Sequence, residues 1–380
     1  MRAPAGFLFA LVIAVACNAN PGGGAVSPQG SSVKEAAFST DGWKTEFSKH
    51  SVPLSEISRG GPGRDGIPPI DHPKFIEVAE ADRWLRPNEP IIQFSVGEDH
   101  RAYPLQILIW HEIANDQVGG IPVTVTFCPL CGTAIAFDRR LDGRVLDFGT
   151  TGNLRNSDLV MWDRQTESWW QQVGGEAIVG ELTGKRLTLL PSAIVGWETF
   201  RGAFPAGQVL SRETGFERDY GRNPYTGYDK AGSSPFLYNG KVDGRLQPKD
   251  RVVMVGLGGE QAAYPFNVLA AKRVIADSVG GQPIVVFFQP GTQSALDAAE
   301  ITSSRDVGAT GVFNPVVDGT RLAFSWHDGA FVDDQTGSRW NLLGRALSGP
   351  LAGKQMEPVI HTDTFWFAAA AFNPRTRIYR

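Results

Sequence analysis

Cysteine is scarce in this chain: three in 380 residues, at positions 17, 128 and 131. A second C-x-x-C is absent, which excludes a rubredoxin-type centre and a structural four-cysteine zinc site. Beyond the first residues no apolar run approaches membrane-spanning length. Clustered positive charge is missing too. The net charge is −4 with Lys and Arg scattered singly, which argues against a nucleic-acid surface. Core-forming aromatics are plentiful, with ten Trp and 22 Phe.

The opening MRAPAGFLFALVIAVAC joins basic Arg2 to an apolar run from Phe7 to Val15 and small residues leading into Cys17. That pattern reads as a secretory signal, too short to remain as a membrane helix. Ala14-Val15-Ala16-Cys17 is similar to a bacterial lipobox, with Ala in place of its usual first Leu, and an ordinary signal peptide is the plainer alternative. Residues 1–16 are therefore expected to be removed and Cys17 to carry lipid that attaches the protein to a membrane. Residues 17–39, rich in Gly, Ser and Pro, read as a flexible tether. The expected location is the cell envelope. Asn18, rather than Asp, points to the outer membrane and a periplasm-facing protein if the cell is Gram-negative.

The sequence repeats itself. Residues 102–122 match 263–283 at a constant offset of 161, DRQTESWW at 163–170 matches DDQTGSRW at 333–340, and GELTGKRL at 180–187 matches GPLAGKQM at 349–356. The predicted fold is mainly β (α+β): two tandem related β-rich units, each with one or two helices, in a pseudo-twofold duplication. The first unit spans 40–210 and the second, degenerate one 241–380, with a connecting loop at 211–240. A helix is predicted from Pro104, with Leu105, Leu108 and Ile109 as its stripe, ending before Gly119-Gly120. VTVTF and TAIAF are predicted strands on either side of CPLCG. Barrel and sandwich both remain compatible with this pattern.

Positions common to both halves serve the scaffold, and positions present in one half are free for chemistry. Asp163, Gln165, Thr166, Ser168 and Trp170 recur as Asp333, Gln335, Thr336, Ser338 and Trp340, and read as a structural turn. By contrast His111 aligns with Lys272, Glu112 with Arg273, Cys128 with Gln289 and Cys131 with Thr292. CPLCG between two strands is similar to the knuckle of rubredoxins and zinc ribbons, where backbone amides favour the thiolates that bind metal. One knuckle supplies two ligands only. His111 is the leading third ligand, Glu112 orients it or binds directly, and His100 is the second choice. The expectation is one mononuclear Cys2His-type centre holding copper or zinc, with activity and substrate unknown and enzyme status open. Two alternatives stand beside it: an envelope thiol–disulfide oxidoreductase using Cys128 and Cys131, and a non-catalytic ligand-binding or scaffold lipoprotein.

Two polar segments are candidates for holding a small anionic or polar ligand. The first carries Asn153, Arg155, Asn156, Ser157 and Asp158, and the second interleaves Arg212, Arg218 and Arg222 with Tyr220, Tyr225 and Tyr228.

The combination of AYPL, WHEI, VTFCPLCGTAIAFDR, LVMWDRQTESWWQQ, VLSRETGFERDYGRNPY and DGIPPID resembles the bacterial domain-of-unknown-function 3179 family over about residues 40–374. The resemblance implies an exported member without an established activity. His111, Glu112, Cys128 and Cys131 fall on the family's WHE and CPLCG motifs.

Overall fold

A helix only seven residues long, Leu105–His111, joins the first long hairpin to the second, and its end shapes the first half of the chain. In the computed structural model, which describes residues 38–380, Pro104 precedes that helix and Glu112 closes it in the left-handed region at φ 59°. A left-handed residue cannot continue a right-handed helix. The sequence reading carried this helix on to the glycine pair, and the structure corrects it. Ile113–Val118 is a strand, paired antiparallel with Ile121–Cys128. Gly119 and Gly120, at φ 54° and 79°, form the two-residue turn between them, where both central residues need positive φ. Ile113, Ala114 and Val118 are buried along this strand, so sheet pairing wins over the helical stripe.

The predicted strands around CPLCG are present. Ile121–Cys128 pairs antiparallel with Thr133–Asp138, placing Cys128 opposite Thr133 across a tight turn whose Gly132 has φ 63°. Strands dominate the described residues, in sheets of at most five strands, with five short α-helices. No helix among them is long and apolar enough to cross a membrane. The expected signal segment at 1–16, Cys17 and the tether as far as residue 37 lie outside the described residues.

One order of elements occurs twice. Pro90–Val96 and Asp99–Pro104 form a hairpin flanked by Ser192–Gly196 on one side and, in parallel, by Gln208–Leu210 on the other. Arg251–Leu257 and Glu260–Pro265 form the same hairpin, flanked by His361–Phe365 and, in parallel, by Arg377–Ile378. Each outer strand runs into a seven-residue helix, Trp197–Ala203 or Trp366–Phe372. The Asp-x-Gln-Thr segments agree almost atom for atom. Asp163 Oδ1 accepts the Thr166 amide at 2.6 Å and Oδ2 accepts Trp170 Nε1 at 2.8 Å, and Asp333 accepts Thr336 and Trp340 at 2.6 and 2.9 Å. Asp163, Trp170, Asp333 and Trp340 are buried, and the two aspartates anchor the turns, as their recurrence implies.

The halves share their interior. The cluster that contains Phe127, Cys128 and Cys131 also contains Ala295, Leu296, Phe365 and Phe367. Around the knuckle the second half supplies hydrogen bonds as well: the Cys131 carbonyl accepts the Phe365 amide at 2.9 Å and the Thr364 hydroxyl at 3.2 Å. Thr133 Oγ1 donates to Thr364 Oγ1 at 2.8 Å. The described residues 38–380 accordingly belong to one compact unit.

Candidate metal centre

Three elements converge on one buried point. Ile121–Cys128 delivers Cys128 at its end, the turn after it delivers Cys131, and Asp158 opens the strand Asp158–Asp163. One ligand-capable atom from each of Cys128, Cys131 and Asp158 lies within 4.8 Å of the others, and all three residues are buried. Both thiols are free. Asp158 is aimed by a two-residue turn, Asn156-Ser157, in which both residues have positive φ, 53° and 66°. That turn also presents the Ser157 carbonyl to the two thiols, with Sγ–O distances of 3.9 Å for Cys128 and 3.5 Å for Cys131.

The Asp158 carboxylate is held on one side only. Its Oδ2 accepts the Val173 amide at 2.9 Å and the Gln171 side-chain amide, which is itself held by Arg155. Its Oδ1 is buried and has no partner. Burial pushes this carboxyl up to about 6, although the Val173 and Gln171 bonds and weaker interactions with the Cys131 and Cys128 thiols oppose the shift. Glu112 is pushed up to about 8, first by burial and then by the negative charge of Asp158, with a hydrogen bond to Tyr225 opposing. Burial raises both thiols as well. No cation figures among the groups acting on either carboxyl. Four acidic groups thus share one buried region.

Glu112 reaches this region because its carbonyl accepts the Phe127 amide at 2.8 Å, which ties the end of its helix to the strand leading into Cys128. It also lines a cavity of about 330 Å³, with Leu130, Asn153, Tyr225 and Tyr228. Gly60, Gly61, Pro62 and Phe236 line it as well. Gly152, at φ 75°, lies so close to Pro62 that a Cβ there would sit 2.0 Å from its carbonyl oxygen.

His111 does not join the cysteines. Its Nδ1 is hydrogen-bonded to the Pro68 carbonyl at 2.8 Å and its Nε2 to the Tyr220 hydroxyl at 2.7 Å, so both ring nitrogens are engaged elsewhere. Burial depresses its pKa to about 4, which keeps the ring neutral. Its two hydrogen bonds tie Tyr220 to Pro68 through the ring. His100, the second choice, stacks on Phe204 at 3.9 Å and bonds to Ser95 Oγ in a different cavity.

The remaining candidates divide. Asn153, Tyr225 and Tyr228 line the cavity, while Asn156 serves the turn. Arg155 pairs with Glu56, Arg222 pairs with Asp219 and Glu300 at the surface, and Arg218 donates to the Glu217 carbonyl. Arg212 stacks over Trp84 and donates to Gln106. Asp158 as a companion of the cysteines escaped the sequence reading, which placed it in a ligand-binding patch. One signal was present, because the segment 150–158 has no recognisable counterpart in the second half.

The family model described as a protein of unknown function, DUF3179, matches residues 64–376, and the chain belongs to that family. No curated protein and no solved structure matches the chain.

Proposed function

We propose that this member of the DUF3179 family binds one metal ion through Cys128, Cys131 and Asp158, with Glu112 beside the remaining position and the adjoining cavity open to a small solute. The observation that carries the reading is Asp158 Oδ1, buried beside two free thiols without a partner. An unpaired buried carboxylate oxygen is costly unless a cation or a donor reaches it. Two sulfurs and one carboxylate oxygen make a three-ligand set that leaves a fourth position open, the arrangement of reactive rather than purely structural zinc sites. The oxygen donor favours zinc over copper(I), which prefers soft sulfur or imidazole ligands. When bound, the ion would supply Lewis acidity at that open position. Leu130, Tyr225 and Tyr228 suit a solute with an apolar body and a polar tip.

The dithiol-redox reading has weaker support. Both sulfurs are buried, their thiols are raised, and CPLCG runs on into a strand rather than a helix whose N-terminus would favour a thiolate. Elemental analysis of protein prepared without a histidine tag decides between the two: about one zinc per chain is expected. Metal-free protein whose two thiols oxidise reversibly to a disulfide would overturn the metal reading.

Export and lipid attachment at Cys17 belong to the same proposal, supported by the apolar run and the small residues before that cysteine. The mature chain is expected to begin at Cys17, carry diacylglycerol and fractionate with membranes. Cys17→Ser should release it or leave it unprocessed, and an intact mass showing no lipid would rule the anchor out.

A further inference from the structure

The second half has a cavity of its own, about 400 Å³ in volume. Its lining inverts the charge of the first, because Arg273 stands where the aligned first half has Glu112, and both residues close a seven-residue helix with positive φ. Lys249, Arg251 and Arg305 line the same space, against Asp229, Asp250 and Asp306. Each acid is engaged through at least one oxygen, and among the three Asp229 Oδ1 alone is buried without a partner. Asp229 Oδ2 sits between Arg251 at 3.0 Å and Arg305 at 2.8 Å and accepts the Ser294 hydroxyl. Asp306 accepts the amides of Gly291, Thr292 and Gly308, and Asp250 accepts that of Gln247. Lys249 is also occupied, donating to the Tyr228 carbonyl at 2.7 Å and to Ser233 Oγ at 3.0 Å.

Among the cations of this lining, Arg273 is the one without an acid beside it among the described residues. Its Nη1 is buried without a hydrogen-bond partner, and among the described residues no carboxylate pairs with it. Its neighbours are aromatic: the guanidinium carbon lies 5.6 Å from the Phe288 ring centre and 5.9 Å from that of Trp326. Ring contacts of this kind leave the in-plane N–H donors free, and a guanidinium fork matches the paired oxygens of a carboxylate or phosphate. Of the Arg251 guanidinium, only Nη2 is spent on Asp229 and Ser294.

We propose that this cavity binds a compact oxyanion, the carboxylate or phosphate group of a small solute, with Arg273 as the residue that recognises it. The site is separate from the metal centre and stands whether or not that centre holds an ion. Calorimetric titration of the full chain with inorganic phosphate, and separately with succinate, at ionic strength balanced by chloride, provides the test. One site per chain with a sub-millimolar Kd is expected for at least one of the two anions, and the one that binds identifies the source chemistry. Arg273→Gln should weaken that binding about 10-fold or more, because the fork supplies the charge-assisted contacts. The variant breaks no protein hydrogen bond at Nη1, so its thermal unfolding without anion should match the parent. If it fails to fold, Arg273→Lys retains the charge, loses the fork and should bind with intermediate affinity. No heat from either anion up to about 10 mM, well above any specific affinity, or equal affinity in the folded variants, overturns the proposal.

Discussion

Replacing Cys131 with serine is expected to take the metal content from about one ion per chain to below about a tenth of that, with Cys128→Ser matching it, because a thiolate contributes most of the affinity of a three-ligand site. Asp158→Asn should weaken uptake about 10-fold or more and leave both thiols in place. The control is His111→Ala. Its ring nitrogens are held by Pro68 and Tyr220, so metal content should stay within about twofold of the parent, in contrast to the loss that a Cys2His centre requires. Proton accounting adds an independent check. Both thiols are protonated before metal arrives, since burial raises them, so binding near pH 7 should release about two protons per ion. Uptake should fall as the pH drops through 6, where Asp158 also begins to hold its proton. Full metal content in Cys131→Ser, measured on folded protein, would end the assignment.

The second large effect concerns stability. Asp163→Ala should destabilise the fold by about 3–4 kcal/mol, because it removes a buried carboxylate that accepts the Thr166 amide, the Thr166 hydroxyl and Trp170 Nε1, stranding the indole donor in the interior and freeing the turn. The Trp170 side chain is itself fully buried in the cluster that includes the knuckle, so loosening it opens a wide area. Asp333→Ala should cost a similar amount, since Asp333 holds Thr336 and Trp340 at nearly the same distances. Urea unfolding of the two variants gives the comparison. A loss under about 1 kcal/mol at Asp163 would show that the turn tolerates water in place of the carboxylate.

How much of this was legible beforehand depends on the distance over which each interaction acts. The strand–turn–strand around CPLCG is local, set by β-rich runs on either side of a turn with Pro129 and Gly132, and it was readable. The Asp163 and Asp333 turns were readable because the same residues stand in both halves at the same spacing. The helix end at Glu112 was not, since Leu105, Leu108 and Ile109 satisfy a helical stripe and nothing local announces a left-handed glutamate. The placement of Asp158 depends on a hairpin 27 residues beyond Cys131 turning back on itself, a tertiary event with no periodic signature. His111 misled for a related reason. Its absence from the second half marked it as special without saying whether it served a metal or, as found, a loop.

The hydrogen bonds at the Cys131 carbonyl also bear on timing. They join residues separated by more than 230 positions, from Cys131 and Thr133 to Thr364. During synthesis the knuckle emerges long before the strand that covers it, and closing so long a loop is slow compared with forming a hairpin. For that interval the Cys131 carbonyl and the Thr133 hydroxyl lack the partner that Thr364 later supplies. The backbone that frames the two cysteines is therefore complete only when the last sixth of the chain has docked.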